Sequence, residues 1–464
     1  MKASATQWSA LIVATLSSFL TPFMISATHI ALPAIDREFD ADAIALSWVA
    51  TAYLLAAAVS LVPVGKLADI HGRKKMFLLG IIIFTAGSLL AALATSVQML
   101  ILFRILQGSG SAMIFTTGIA IITSVFPAGE RGRALGITVA AVYIGLSCGP
   151  FFGGILTQHF GWRSIFVTIL PLGLLIVYLT AAWLKGEWAE ARGESFDWIG
   201  ALIYGLSVVA LMVGISLLPA GRSYWLITGG IAGLVGFVRW EMQMTHPVFE
   251  VSLFSANRVF GYSCLAALIH YSATFGVTFL LSLYLQYIKG LTPRQAGLLL
   301  VAQPLMMALF SPLAGKISDR IEPRRIASAG MALTATGLML LTMLQGETPI
   351  AFIVGSLMLL GFGFAFFSSP NMNAIMSSVE KRFYGIASGS VGTMRLLGQM
   401  LSMGIATMTF ALLIGRVPLT ATSDADFLKA ITIAFVIFTL LCTVGIYFSA
   451  ARGRLHTHGG RQKA

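Results

Sequence analysis

The amino-acid sequence predicts an all-α integral membrane protein of fourteen transmembrane helices, arranged as two six-helix bundles with an inserted helical hairpin. Three observations carry the prediction: a composition too apolar for a soluble globule, fourteen apolar runs of membrane length, and a charged loop that occurs twice. Of the 464 residues 57% are hydrophobic and only 10% are charged, with a mean hydropathy of +0.87. That leaves too little polar surface to cover a particle in water.

A helical span needs roughly 20 mostly apolar residues. The first six runs fall at 10–31, 46–64, 77–94, 99–125, 135–156 and 164–184. The first is longer than a signal-peptide core and lacks an A-x-A-like cleavage site, so it is expected to be retained. Two further runs, 198–217 and the short 225–239, form the hairpin, and six more follow at 259–287, 295–314, 326–345, 350–376, 383–414 and 427–449. The expected organisation is an N-terminal six-helix bundle at 1–184, the hairpin and its linkers at 185–258, a C-terminal bundle at 259–451 and a basic tail at 452–464.

An even number of spans puts both termini on one side. Of the 30 Lys and Arg, 21 fall on that side, 7 in the opposite loops and 2 within spans. The positive-inside rule makes the termini cytoplasmic, in a cytoplasmic (inner) membrane. The same asymmetry accounts for the net charge of +12, so no nucleic acid is required. Cys148, Cys264 and Cys442 lie in separate spans without pair spacing and read as packing residues, with no metal expected.

The repeated loop is GKLADIHGRKK at 65–75 and GKISDRIEPRR at 315–325. Two homologous six-helix halves would place the copies about 200 residues apart, and the surplus of about 50 is one helical hairpin. Each copy supplies a turn-permitting glycine, an aspartate and a basic cluster: Gly65, Asp69, Gly72 and Arg73 in the first, Gly315 and Asp319 in the second. In GLSCGPFFGG (145–154), Gly145, Gly149 and Gly153 recur every fourth residue on one helical face, where small residues let a second helix approach closely, and Pro150 bends the helix.

These segments resemble the major facilitator superfamily. GKLADIHGRKK is similar to its loop signature. RILQGSGSA (104–112) resembles its fourth-helix motif, with Arg104, Gln107, Gly108 and Gly110 in place. The 145–154 segment, including Pro150 and Gly154, resembles its antiporter motif. FDWIG (196–200) and the two extra spans resemble the fourteen-helix drug:proton antiporter branch of the EmrB/QacA type. The resemblance covers nearly the whole chain. It implies the major facilitator fold, export of small molecules, protons as the coupling ion, and conformational roles for the glycine and loop motifs.

One departure changes the expected chemistry. The branch usually places an intramembrane acid in the first helix, but here the stretch reads FMISATHIALP (23–33), with Met24 in the place of the acid and His29 in that of an asparagine. On the predicted boundaries none of the 18 carboxylates falls inside a span, Asp36 among them, which is assigned to an outer loop. The embedded ionisable groups are instead Arg104, Arg395, His29 and His270, and groups at such depth mark functional sites by default. Each also has an ordinary reading: snorkelling for Arg104, backbone carbonyls and water around Arg395, and hydrogen-bonded packing for the histidines. Gln107, Gln286, Gln303, Asn373, Gln399, the phenylalanines at 362–367 and above all Asn371, just after Pro370, are expected near a cavity.

Phosphate-binding loops and H-E-x-x-H are absent from the sequence, so an ATP-driven pump or a zinc hydrolase is not expected, nor is a cofactor. The expected protein is a monomeric secondary transporter working by alternating access, with a preference for neutral or anionic amphipathic substrates. Organic-anion uptake or exchange is the alternative, and a sensor without turnover is the second.

Overall fold

The computed structural model describes residues 5–127, 130–245, 247–318, 320–380, 384–415, 417, 419 and 422–453. Asp319 and nearly all of the basic tail, both singled out in the sequence, lie outside the described residues.

The first group of helices comprises α1 (Ala5–Phe39), α2 (Ala43–His71), α3 (Arg73–Ala92), α4 (Val97–Val125), α5 (Arg131–Phe160), and α6 (Arg163–Val167) with α7 (Ile169–Ala182) as one broken span. A pair follows, α8 (Trp198–Ser216) and α9 (Gly221–Glu241), then the short α10 (Ser252–Ala256). The last group opens with α11 (Arg258–Thr274) and α12 (Gly276–Leu283), which runs on into a π-helical turn at Tyr284–Ile288. It continues with α13 (Pro293–Leu300), α14 (Ala302–Ser318), α15 (Pro323–Leu341), α16 (Ile350–Ser377), α17 (Tyr384–Leu413) and α18 (Asp424–Ala451). Polar loop residues start several of these helices by accepting from orphan backbone N–H groups: Asp42, Ser96, Asp197, Asn257 and Ser423, with a reciprocal capping box at Thr292 and Gln295.

Among the described residues twelve helical segments are long and apolar enough to cross a membrane. The other two expected spans coincide with α9 and α15, helices of 21 and 19 residues. Both are long enough but less apolar, because α9 carries Arg222, Arg239 and Glu241 and α15 opens on Arg324 and Arg325.

The first helix differs from its predicted extent. Asp36 and Glu38, expected in an outer loop, belong to α1, which runs 35 residues without a break. At 1.5 Å per residue that is about 52 Å, well beyond the ~30 Å hydrocarbon core, so the helix carries polar residues in its last turns without exposing backbone to lipid.

Within the first group α1 packs on α5, α2 on α4, and α3 on α4 and α7; within the last, α15 packs on α16 and α18, α14 on α16, and α11 on α17 and α18. The groups meet where α1 touches α12, α5 touches α13 and α14, and α2 touches α17. The α8–α9 pair sits outside, with α8 against α2 and α17. Leu102, Leu206, Trp225 and Leu440 are more than half exposed, an arrangement suited to lipid rather than water.

Candidate transport pathway

A cavity of about 270 Å³ lies between the two groups. Its wall takes Thr21 and His29 from α1, Phe115 from α4, Tyr143 from α5, Tyr271 from α11, Gln303 from α14, Phe364 from α16, and Arg395 and Gln399 from α17. These residues occupy the middle of the helices and the half nearer the face that carries Ala5 and Ala451. Among the described residues, Arg395 is the only lysine or arginine in the wall, and no carboxylate lines it. The guanidinium carbon sits 4.2 Å from the centroid of the Phe115 ring, a cation–π distance, and Nε has no hydrogen-bond partner. A positive group on an aromatic platform, in a wall that also carries Gln303, Gln399 and tyrosines, can receive a planar apolar body carrying a negative or acceptor group.

His29 reaches the cavity with its ring edge-on to Phe275 and Phe279, at centroid distances of 5.6 and 6.0 Å, and neither ring nitrogen has a partner. Five other residues expected on the pathway do not line the cavity. Met24 is wholly buried, its Sδ 3.6 Å from the Thr28 hydroxyl, while Ile25 lines the wall. His270 is also wholly buried: it stacks on Phe367 at 4.1 Å and stands 3.3 Å from Thr334 Oγ1, and Tyr271 takes the wall position. Asn371 donates to the Ser263 carbonyl at 3.1 Å and accepts from Arg452 at 2.7 Å, while Met372 lines the wall. The common reason is helical rotation, about 100° per residue, which an apolar sequence does not disclose.

Arg104 and Gln107 are the remaining pair. Arg104 neither snorkels nor enters the cavity: it is 1% exposed, donates Nε to the Val49 carbonyl at 3.1 Å, and bonds through Nη1 to Gln107 Oε1. Gln107 passes the chain on to Ser88 Oγ at 2.6 Å. The guanidinium lies 4.3 Å over the ring of Tyr53, and Tyr53 lines the cavity, so Arg104 supports the wall from behind.

The α5 glycines lie against α1. A Cβ at Gly149 would stand 2.5 Å from Ser26 Cβ, and one at Gly145 2.5 Å from the Phe19 carbonyl oxygen. Pro150 and Gly154 instead face the other group, where α13 crosses. In the 65–75 loop, Arg73 bonds Asp69 through Nε at 2.8 Å and Ser124 at 2.6 Å. The linker at 185–197, in which the sequence shows no motif, closes over this loop. Glu190 accepts from Arg73 at 2.8 Å, Glu194 from Lys66 at 2.6 Å, and Glu187 from the Lys74 backbone at 2.8 Å. Gly65 and Gly315, the matching glycines of the two loop copies, pack near Thr116 and Ser369.

At the face away from the termini the groups are tied together. The Ser282 hydroxyl donates to the His29 carbonyl at 2.7 Å, Gln286 donates to the Ile30 carbonyl at 3.1 Å, and the Tyr287 hydroxyl donates to Asp36. Thr407 and Ser47 share a hydroxyl pair at 3.0 Å, and the Ala43 N–H reaches the Val417 carbonyl at 3.2 Å. The cavity is thus sealed on this side. Asp36 belongs to the seal and is 1% exposed.

Two groups of apolar helices around a central, one-side-sealed cavity define a membrane transporter rather than an enzyme. A profile of the Major Facilitator Superfamily matches residues 14–263 and 263–463, and the chain belongs to that family. It is 31% identical to the riboflavin transporter RibZ of Clostridioides difficile over 413 residues, 87% of this chain and 88% of the relative. It is 32% identical to the multidrug resistance protein Stp of Mycobacterium tuberculosis over 408 residues, 86% of this chain and 75% of the relative. Its fold matches a bacterial homologue of the human lysosomal transporter Spinster with a TM-score of 0.69 at 16% identity, covering 96% of this chain and 97% of the other.

Proposed function

We propose that the chain exports amphipathic, neutral or anionic small molecules across the cytoplasmic membrane by alternating access, in exchange for protons. The observation that carries the charge preference is Arg395, the one full charge among the described residues of the cavity wall, none of which is a carboxylate. A cationic solute there would meet a like charge in low dielectric, whereas an anion would supply a partner for the guanidinium. The transporter relatives, one a riboflavin transporter and one a multidrug resistance protein, agree with a planar amphipathic substrate.

In this reading α9 and α15 complete fourteen spans, as in the EmrB/QacA branch, and the basic loops fix both termini in the cytoplasm. The cavity then faces the cytoplasm, ready to load a substrate for export. The glycine face of α5 and the loop residues Gly65, Asp69, Gly72, Arg73, Gly315 and Asp319 serve the rocking of one bundle on the other. The test is efflux from cells of two xanthene dyes, anionic fluorescein and cationic rhodamine 6G, each with and without a proton uncoupler. Expulsion of fluorescein that stops with the uncoupler and with Arg395→Ala, but not with Lys185→Ala, supports the reading. Equal expulsion of the cation overturns the charge preference.

An exchange mode without protons is the second reading, favoured by the same wall, since an anionic substrate would itself neutralise Arg395 on each crossing. It predicts fluorescein exchange that the uncoupler leaves unchanged.

A further inference from the structure

Among the described residues no acid lines the cavity, yet the seal at its closed end holds one. Asp36 lies seven residues beyond His29 on α1, two helical turns and about 10 Å along the same face, towards α12 and the π-helical turn. Three side chains along this seam are buried with an unpartnered polar atom: both nitrogens of His29, Oε1 of Gln286 and Oδ1 of Asp36. Buried polar atoms without protein partners are uncommon and concentrate where a structure stores strain or handles water and protons. The facing element contributes polar groups at matching spacing, Ser282 and Gln286 one turn apart and Tyr287 next to them. The π-helical turn falls on these last residues, and π-turns concentrate at functional sites.

We propose that Asp36 is the proton-binding group of the transport cycle, placed in the seal between the two groups of helices instead of in the cavity. The inference rests on the proton-coupled export reading. The carboxylate shut between the groups accepts from the Tyr287 phenol, with the Ala41 backbone N–H acting on it as well, and its Oδ1 has no partner within hydrogen-bond distance. Burying it charged costs free energy that burying it neutral does not. The other charged groups acting on it are Arg37 and Asp40, in its own segment and both exposed. Lys289, beyond the π-turn, donates to the Gly346 carbonyl, and α18 presents the apolar Phe427 to Tyr287.

The sequence of events follows from these contacts. With the seal open, a proton from the outer medium forms an O–H bond on Asp36, and the neutral side chain allows the seal to close. With the cavity open to the face of the termini, that O–H bond breaks and the proton leaves along the seam past His29. The carboxylate left behind disfavours the closed seal, which reopens. One proton moves inward for each reopening, as antiport demands.

The full-length protein in proteoliposomes tests this with fluorescein. Asp36→Asn is expected to lower pH-gradient-driven accumulation by about tenfold or more, while Asp36→Glu, which keeps a titratable carboxyl, is expected to retain most of it. Accumulation as in the parent overturns the proposal. A second measurement reads the seal without any substrate. Ala43→Cys, at a wholly buried position beside Val417, is placed in a background with Cys148, Cys264 and Cys442 replaced by Ala and labelled with an impermeant maleimide. Labelling is referred to the exposed Gln98→Cys. It is expected to rise from about pH 5 to about pH 8 when Asp36 is present and to stay low in the Asp36→Asn variant, since a carboxyl's charge is what the amide lacks. The same rise in both proteins sinks the proposal. If the parent moves no fluorescein but labelling depends on Asp36, the export reading fails and the proton-sensing seal stands.

Discussion

Arg452 Nη1 donates to Asn371 Oδ1 at 2.7 Å, joining the residue just after the last helix to the middle of the C-terminal group. The guanidinium is 1% exposed and also bonds the Ser449 carbonyl and the Ser263 hydroxyl. Neutral oxygens supply these hydrogen bonds, and the negative charge of Glu322 also acts on the guanidinium. Asn371 serves both sides, giving its amide hydrogen to the Ser263 carbonyl at 3.1 Å.

Asn371→Leu therefore leaves a buried guanidinium short of one acceptor and a carbonyl short of one donor. The expected cost is about 1–3 kcal/mol of stability, read as a lower melting temperature in detergent. Because Asn371 does not line the cavity, the ratio of fluorescein to rhodamine 6G efflux by the surviving protein is expected to match the parent. A changed ratio at unchanged melting temperature would place the side chain in the pathway after all.

The two embedded arginines should separate in the same assay. Arg395→Gln removes the wall's charge and is expected to lower fluorescein efflux while sparing or raising that of rhodamine 6G. Arg104→Gln breaks the bonds to Val49 and Gln107 and the contact behind Tyr53, while the guanidinium itself does not line the cavity. It is expected to reduce both dyes in proportion and to cost about 1–3 kcal/mol of stability. Arg104→Lys should rescue poorly, since an ammonium cannot reproduce the planar stack and fork. A selective loss of fluorescein in Arg104→Gln would refute this division.

Reading the sequence located the twelve helices long and apolar enough to cross a membrane and the repeated loop, because those features follow from composition and spacing. It could not give the rotation of a helix. Met24, His270 and Asn371 each miss the wall by one position, with Ile25, Tyr271 and Met372 lining it instead. In a chain apolar on most faces, polarity does not say which face is inward, as it does in a soluble protein. Asp36 is legible as an acid but not as a buried one, since the first apolar run ends at 31 and the helix continues past it to Phe39. The linker acids Glu187, Glu190 and Glu194 carry no pattern along the chain. They acquire meaning only where the fold brings them to Arg73, Lys74 and Lys66.

That linker contact is itself testable. The side chain of Glu190 is 68% exposed, so its pair with Arg73 is screened and worth about 0–1 kcal/mol. Glu190→Gln is expected to leave the melting temperature almost unchanged. Gly72 differs, because its φ of +118° is strained for any other residue and an added Cβ would meet Glu187 at 2.5 Å. Gly72→Ala should displace the linker and expose its backbone, seen as faster proteolysis between 185 and 197. Resistance equal to the parent would show that the loop absorbs the methyl.

The α5 face gives the sharpest steric test. A Cβ at Gly149 would stand 2.5 Å from Ser26 Cβ and 2.8 Å from the Phe23 carbonyl oxygen, and neither is the end of a flexible side chain. Gly149→Val adds a branched group where α1 and α5 touch, so the helices must part. Overpacking of this kind costs about 1–3 kcal/mol. Parting them also shifts Thr21 and His29 relative to Tyr143 across the cavity, so efflux of both dyes should fall together. Gly136, on the same helix with nothing within 4 Å of its missing Cβ, is the control. Gly136→Val should fold and transport as the parent does. If both valines behave alike, the stripe's small residues matter for something other than the close approach of α1.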